Sequence, residues 1–158
     1  GSMGSGIANL AALNGFNVVL RDIEDRFLEG AIARINTFMS KSVERGKMTE
    51  EQKLETLGRI QTTTKLEDLK DVDVVIEAVI EDLELKKEVF SQLDEIVKED
   101  VILATNTSSM SITEIAAAID KESKKVTKFR YLFIIKERFG ALFHMQTSLL
   151  QRRRKGKR

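Results

Sequence analysis

The chain has no cysteine, no proline and no tryptophan, and it has one histidine and one tyrosine. Without cysteine there are no disulfides and no thiolate metal sites, which fits a cytoplasmic setting; no metal site is expected. Proline usually makes up about 5% of a sequence. Its absence leaves long helices uninterrupted and removes any proline-built loop. There is no apolar run of about 18 residues, so no membrane span is expected. No signal-peptide pattern opens the chain.

What is present describes a globular protein. The 158 residues are 42% hydrophobic and 32% charged, enough for one domain with a real core and too apolar for disorder. The net charge of +1 conceals a division. Residues 1–127 carry 16 basic and 24 acidic side chains, whereas residues 128–158 carry 10 basic and one acidic. The second segment also holds four of the eight phenylalanines, the tyrosine and the histidine, and it ends in Arg152-Arg153-Arg154-Lys155-Gly156-Lys157-Arg158. Such a break predicts a domain over 1–127 and a divergent basic, aromatic tail over 128–158.

The domain is organised around its opening, Gly1-Ser2-Met3-Gly4-Ser5-Gly6-Ile7-Ala8. Small residues lead into a helical pattern through Ile7, Leu10 and Ala11, which Gly15 stops, since glycine takes the left-handed cap without strain. Phe16 to Leu20 reads as a strand, followed by Arg21-Asp22. The order is therefore glycine loop, helix, strand, acid. In a dinucleotide-binding crossover, glycines let the backbone approach a pyrophosphate. The helix N-terminus offers it N–H groups, and the acid accepts from the adenosine ribose. Asp22 follows Gly4 by 18 residues, close to the usual offset of about 20. The strand and first glycine that complete this fingerprint are absent. Gly-Ser-Met is also a common cloning remnant, but the register of Gly1, Gly4 and Gly6 with the helix and Asp22 favours a glycine loop.

A long helical stripe follows through Phe27, Leu28, Ala31, Ile32, Ile35, Phe38, Met39 and Val43, ended by Gly46. Thr49-Glu50-Glu51-Gln52 is a capping box for a shorter helix carrying Leu54, Leu57 and Ile60. Lys41, Arg45 and Lys47 read as solvated surface. Thr62 to Thr64 suggests a strand, and Leu66 to Leu69 a helical turn. Asp73 to Val79 is a near-continuous apolar run, the mark of a strand covered on both faces. Glu81 and Asp82 lie just past its carboxyl end, where open α/β sheets bind ligands. A helix with Val89, Phe90, Leu93, Ile96 and Val97 on one face leads to a strand at Val101 to Ala104. The polar cluster Thr105-Asn106-Thr107-Ser108-Ser109 then sits at another strand end, and Ser111 to Glu114 is a second capping box. Alternating strands and helices predict a doubly wound parallel sheet, lacking its first strand, with a helical hairpin inserted after the second.

Taken in order, Gly-Ser-Met-Gly-Ser-Gly-Ile-Ala, Val-Val-Leu-Arg-Asp, Glu-Arg-Gly-Lys-Met-Thr, Val-Ile-Glu-Ala-Val-Ile-Glu-Asp-Leu-Glu-Leu-Lys and Ala-Thr-Asn-Thr-Ser-Ser-Met-Ser-Ile-Thr resemble the NAD-binding domain of the 3-hydroxyacyl-CoA dehydrogenases over residues 1–126. The resemblance implies a Rossmann-like fold with NAD as cofactor. It also implies oxidation of the 3-hydroxyl of a fatty acyl-CoA in β-oxidation. Carried over by position, Gly1 and Gly4 face the pyrophosphate, with Ser2 and Met3 between them in the cofactor-binding turn, and Asp22 the adenosine ribose. Glu81 and Lys86 fall on the nicotinamide side, Ser108 near both cofactor and substrate, and the cofactor-binding Asn106 begins the Ser108 loop. A carboxylate at Asp22 also favours NAD, because it repels the extra phosphate of NADP.

The family's catalytic histidine has no match: the stretch expected to carry it reads Phe129-Arg130-Tyr131-Leu132-Phe133-Ile134. His144 lies too far along. The family's helical C-terminal domain also has no counterpart, and the change after Val126 looks like a shifted reading frame or truncated gene. The expectation is a family member with impaired or no turnover, with an acyl-CoA as its substrate by resemblance; a homodimer is a possibility the resemblance gives for complete members. Nucleic acid is not an expected partner. The alternatives are a non-catalytic NAD-binding module, or an interaction module using the basic tail.

Overall fold

The computed structural model describes residues 1–99, 101–107, 110–111 and 114–116. The expected boundary at residue 127 and the tail at 128–158 lie outside the described residues. Helices α1 (Ser2–Leu13), α2 (Asp25–Glu44), α3 (Glu50–Gly58) and α4 (Leu83–Ile96) alternate with strands β1 (Val18–Arg21), β2 (Ile60–Thr63), β3 (Val74–Glu77) and β4 (Ile102–Thr105). A 3-10 turn at Glu67–Leu69 precedes β3.

Both strand pairs are parallel. β1 pairs with β2 in the register Val18–Ile60 to Arg21–Thr63, and β3 with β4 from Val74–Ile102 to Glu77–Thr105. Among the described residues these are two separate two-stranded sheets. In the dinucleotide-binding order 3-2-1-4-5, the first strand falls between the second and the fourth. The second and fourth correspond to β1 and β3 here, so the division between the two sheets falls at the first strand's position.

Helices cover both faces, as a doubly wound sheet requires. Alternate side chains of β1 point to opposite sides. Val18 and Leu20 pack with Ala8 of α1, Ile35 and Met39 of α2, and Leu57 of α3. Val19 joins the second cluster, built on Leu69, Phe90, Leu93, Val101, Leu103 and Ile115 with Val75 of β3 against it. One residue of β1 thus reaches the core beneath the other sheet, and the two halves share that layer.

Local chemistry accounts for the boundaries. Helix α1 opens at Ser2 with Gly1 as its cap, so the expected glycine loop is the first turns of a helix instead. Gly15 (φ +85°) and Gly46 (φ +67°) take left-handed conformations after α1 and α2, where a side chain would be strained. In α2 the buried stripe is Leu28, Ala31, Ile35 and Met39. Phe27 and Phe38, one step off that line, are exposed, as is Lys41 with Arg45 and Lys47 beyond the helix. Thr49 and Gln52 form the capping box of α3, with the Gln52 N–H donating to Thr49 Oγ1 at 3.1 Å and the Thr49 N–H to Gln52 Oε1 at 2.9 Å. Ile60, expected on α3, belongs to β2, because the helix ends at Gly58 and a β-branched side chain suits the ladder opposite Val18. β3 stops at Glu77, short of Val79, because the Glu77 carboxylate captures the Val79 N–H at 2.6 Å. Its three valine and isoleucine residues are half-buried rather than enclosed, as both edges of each two-stranded sheet are unpaired among the described residues. Ser111 Oγ accepts from the Glu114 N–H at 3.4 Å, the forward half of the second capping box.

Candidate functional site

The carboxyl ends of β1, β3 and β4 and the start of α1 meet on one rim. Asp22 follows β1 directly, its N–H donating to the Thr63 carbonyl at 3.3 Å. Its Oδ1 accepts from the Ile23 N–H at 2.8 Å, and its Oδ2 lies 3.4 Å from the Gly1 nitrogen. The opening glycine and the acid, 21 residues apart, are therefore neighbours in space. Gly1, Ser2 and Met3 are exposed and Gly4 is half-buried. The first N–H groups of any α-helix have no carbonyl partner within it, and with the helix dipole they favour an anion. Gly1 uses no side chain to cap α1, which leaves those groups open to a ligand.

The start of α1 also faces the second sheet. A Cβ built on Gly4 would stand 3.9 Å from the Cβ of Ala78, the residue after β3. From β3 the contacts continue to β4: the Asn106 N–H donates to the Glu77 carbonyl at 2.9 Å. Asn106 is half-buried and Glu81 exposed. Thr107 Oγ1 donates to Glu81 Oε2 at 2.8 Å, tying the loop after β4 to the loop after β3. Asp82, beside Glu81, caps α4 by accepting from the Leu85 N–H at 2.9 Å. Ser108 lies outside the described residues. The rim brings together Gly1, Gly4, Asp22, Glu81 and Asn106, with Ser2 and Met3 on the first turn of α1.

Lys86 is placed differently. Its side chain is 1% exposed, and its Nζ donates to Glu77 Oε1 at 2.9 Å and lies 3.4 Å from the Val79 carbonyl oxygen. It sits beneath the rim. Glu77, Thr105 and Thr107 are equally enclosed, and sequence reasoning missed all three as functional candidates. The sign of Glu77 was available: a lone acid inside the apolar run Val74 to Val79 must find a buried partner, and a lysine follows nine residues later.

Among the described residues no three His, Cys, Asp or Glu side chains are grouped to hold a metal ion. No helix among them is long and apolar enough to cross a membrane.

A sequence model of the 3-hydroxyacyl-CoA dehydrogenase NAD-binding domain matches residues 1–131. The chain belongs to that family. NAD is the cofactor for which this family's domain is named, and the residues on the rim fit it: open helix amides beside a carboxylate at a strand end. A 3-hydroxybutyryl-CoA dehydrogenase of Clostridioides difficile is 44% identical over 126 residues, which cover 80% of this chain and 45% of the relative. The fatty acid oxidation complex subunit alpha of Psychrobacter arcticus is 40% identical over 121 residues, covering 77% of this chain and 17% of that protein. Among solved structures, (S)-3-hydroxybutyryl-CoA dehydrogenase from Ralstonia eutropha superposes with a TM-score of 0.78 at 38% identity, over 85% of this chain and 46% of that one. The Escherichia coli 3-hydroxybutyryl-CoA dehydrogenase gives the same TM-score at 42% identity, over 85% of this chain and 28% of that chain. The chain therefore spans less than half the length of these relatives, and matches their NAD-binding part.

Proposed function

We propose that this chain forms the NAD-holding part of a 3-hydroxyacyl-CoA dehydrogenase, an oxidoreductase of fatty acid β-oxidation acting on a fatty acyl-CoA. The observation that carries the reading is the approach of the Gly1 nitrogen to Asp22 at 3.4 Å. It sets the anion-seeking end of α1 beside the acid that would accept from a ribose. In this reading Gly1, Ser2, Met3 and Gly4 hold the pyrophosphate through backbone N–H groups, and Asp22 the adenosine ribose. Glu81, Asn106 and Ser108 face the nicotinamide end, with Lys86 supporting it from beneath. The hydride chemistry is the cofactor's; the chain's residues bind and orient it.

An imidazole base, suited to taking the hydroxyl proton near neutral pH, has no counterpart at Phe129 to Ile134. The chain as it stands binds NAD without appreciable turnover. The protein acts in the cytoplasm; pairing with a second copy belongs to complete members of the family, and nucleic acid is not a partner.

Calorimetric titration tests the reading. The chain should bind NAD more tightly than NADP, and Asp22→Ala should weaken NAD by about tenfold, the equivalent of a lost charged hydrogen bond. Absence of NAD binding, or equal affinity for NADP, overturns it.

A further inference from the structure

Beneath the exposed rim runs a continuous buried chain of polar contacts. Glu77 Oε1 accepts from Lys86 Nζ at 2.9 Å and from the Val79 N–H at 2.6 Å, while Oε2 accepts from Thr105 Oγ1 at 2.6 Å. Thr105 Oγ1 in turn accepts from the Thr107 N–H at 3.2 Å. Thr107 Oγ1 donates to Glu81 Oε2 at 2.8 Å and accepts from the Met110 N–H at 3.2 Å. Glu77, Lys86, Thr105 and Thr107 are each at most 6% exposed. Starting on α4, the chain crosses the end of β3, passes to the end of β4 and returns to the loop after β3. Both carboxylate oxygens of Glu77 are engaged, and they join three elements that β-ladder bonds alone leave free to shift at their ends.

We propose that Glu77 is a positioning residue. With Lys86 and Thr105 it forms a latch that holds the loops after β3 and β4 in one arrangement, and so places Glu81 and Asn106 for the nicotinamide end of the cofactor. The proposal rests on the NAD reading above. It assigns Lys86 a role through Glu77: an enclosed ammonium whose hydrogen bond holds the Glu77 carboxylate in place. A buried carboxylate that accepts three hydrogen bonds is held in one arrangement, and removing one donor exposes the others to rearrangement. The adenosine end, at Asp22 and the start of α1, lies outside this network.

The test compares the full-length chain with Glu77→Gln and Thr105→Val, and with Thr105→Ser as the hydroxyl-keeping control. Thr105→Val leaves the Glu77–Lys86 pair intact, so it reports even if Glu77→Gln fails to fold. Each is titrated with NAD and with ADP-ribose, which lacks the nicotinamide. Amide hydrogen exchange is read at Met110 on one loop and in β1 and β2. Expected are a loss of about tenfold in NAD affinity with ADP-ribose affinity kept, and about tenfold faster exchange at Met110 with β1 and β2 unchanged. Thr105→Ser should restore both. Equal losses for both ligands, or faster exchange throughout, mean general destabilisation and overturn the latch, as does no change in either measurement. If the unaltered chain binds neither ligand, the NAD reading fails, while the exchange measurement still decides whether the loops are coupled.

Discussion

Gly4 offers a substitution in which stability and ligand binding should move in opposite directions. Gly4 and Gly6 both lie inside α1. Neither has a positive φ, so neither is needed for its backbone conformation. Glycine within a helix costs about 0.5–1 kcal/mol relative to alanine. A Cβ on Gly6 would meet nothing within 4 Å, and one on Gly4 only the Ala78 Cβ at 3.9 Å, an ordinary contact. Gly6→Ala and Gly4→Ala should therefore each stabilise the ligand-free chain by about 0.5–1 kcal/mol, raising the melting temperature by roughly 1–4 °C. For Gly6 that is the whole effect. In the proposed NAD reading, Gly4 stands in the turn whose N–H groups would meet the pyrophosphate, and an added methyl would keep the ligand away from the backbone. Gly4→Ala should weaken NAD by about tenfold, or 1.4 kcal/mol. Thermal melts monitored by circular dichroism, paired with NAD titration, give both quantities. A Gly4→Ala chain that is more stable and still binds NAD as well as the unaltered one would refute the role given to Gly4. A less stable one would refute the packing argument.

Two further outcomes are expected. Thr49→Ala removes one half of the α3 capping box and should cost about 1 kcal/mol, read as a lower urea midpoint with an unchanged slope. Asp71, held by Lys98 at 2.5 Å, has its carboxyl lowered from the ordinary value of 3.8, chiefly by that hydrogen bond. Its stabilisation is therefore present above the unfolded pKa and lost as pH falls through the lower folded one. Melting temperatures measured from pH 6 down to about pH 2 should converge for Asp71→Asn and the unaltered chain, with a small separation at the upper end because the pair is exposed.

Helix caps were legible because local chemistry decides them. Thr49 with Gln52, and the glycines at 15 and 46, act within a few residues of themselves, and no distant packing can reassign them. The ends of β3 were not legible from periodicity. Val79 continues the apolar run, yet its N–H is taken by the side chain two residues before it. The exposure of Phe27 and Phe38 was similarly hidden, since both lie within a step of the true stripe and only the packing of α2 against α1 and β1 selects which line is buried. For the site, Asp22 and Glu81 could be named because strand ends collect ligands in open sheets. Glu77, Thr105 and Thr107 act through contacts of two to 28 residues' separation, and no spacing rule marks such a set. For the Glu77–Lys86 pair the sequence holds a hint, an acid inside an apolar run with a lysine nine residues on, but only the packing of α4 against β3 shows that the two meet.

The split sheet makes the ligand part of the structural argument. Asp22 belongs to the half built on β1 and β2, and Glu81 and Asn106 to the half built on β3 and β4. No ladder joins the halves among the described residues; Val19 and the start of α1 span the division instead. A dinucleotide held by Asp22 at one end and by the latched loops at the other would cross that division. Any species that binds only the folded arrangement stabilises it by mass action, by about 2.7 kcal/mol at a hundredfold excess over its Kd. NAD should thus raise the melting temperature and slow amide exchange in both halves. ADP-ribose, which stops short of the second half, should slow exchange mainly around β1 and α1. Equal protection by the two ligands would mean that the halves already move as one body, and that the cofactor contributes nothing to holding them together.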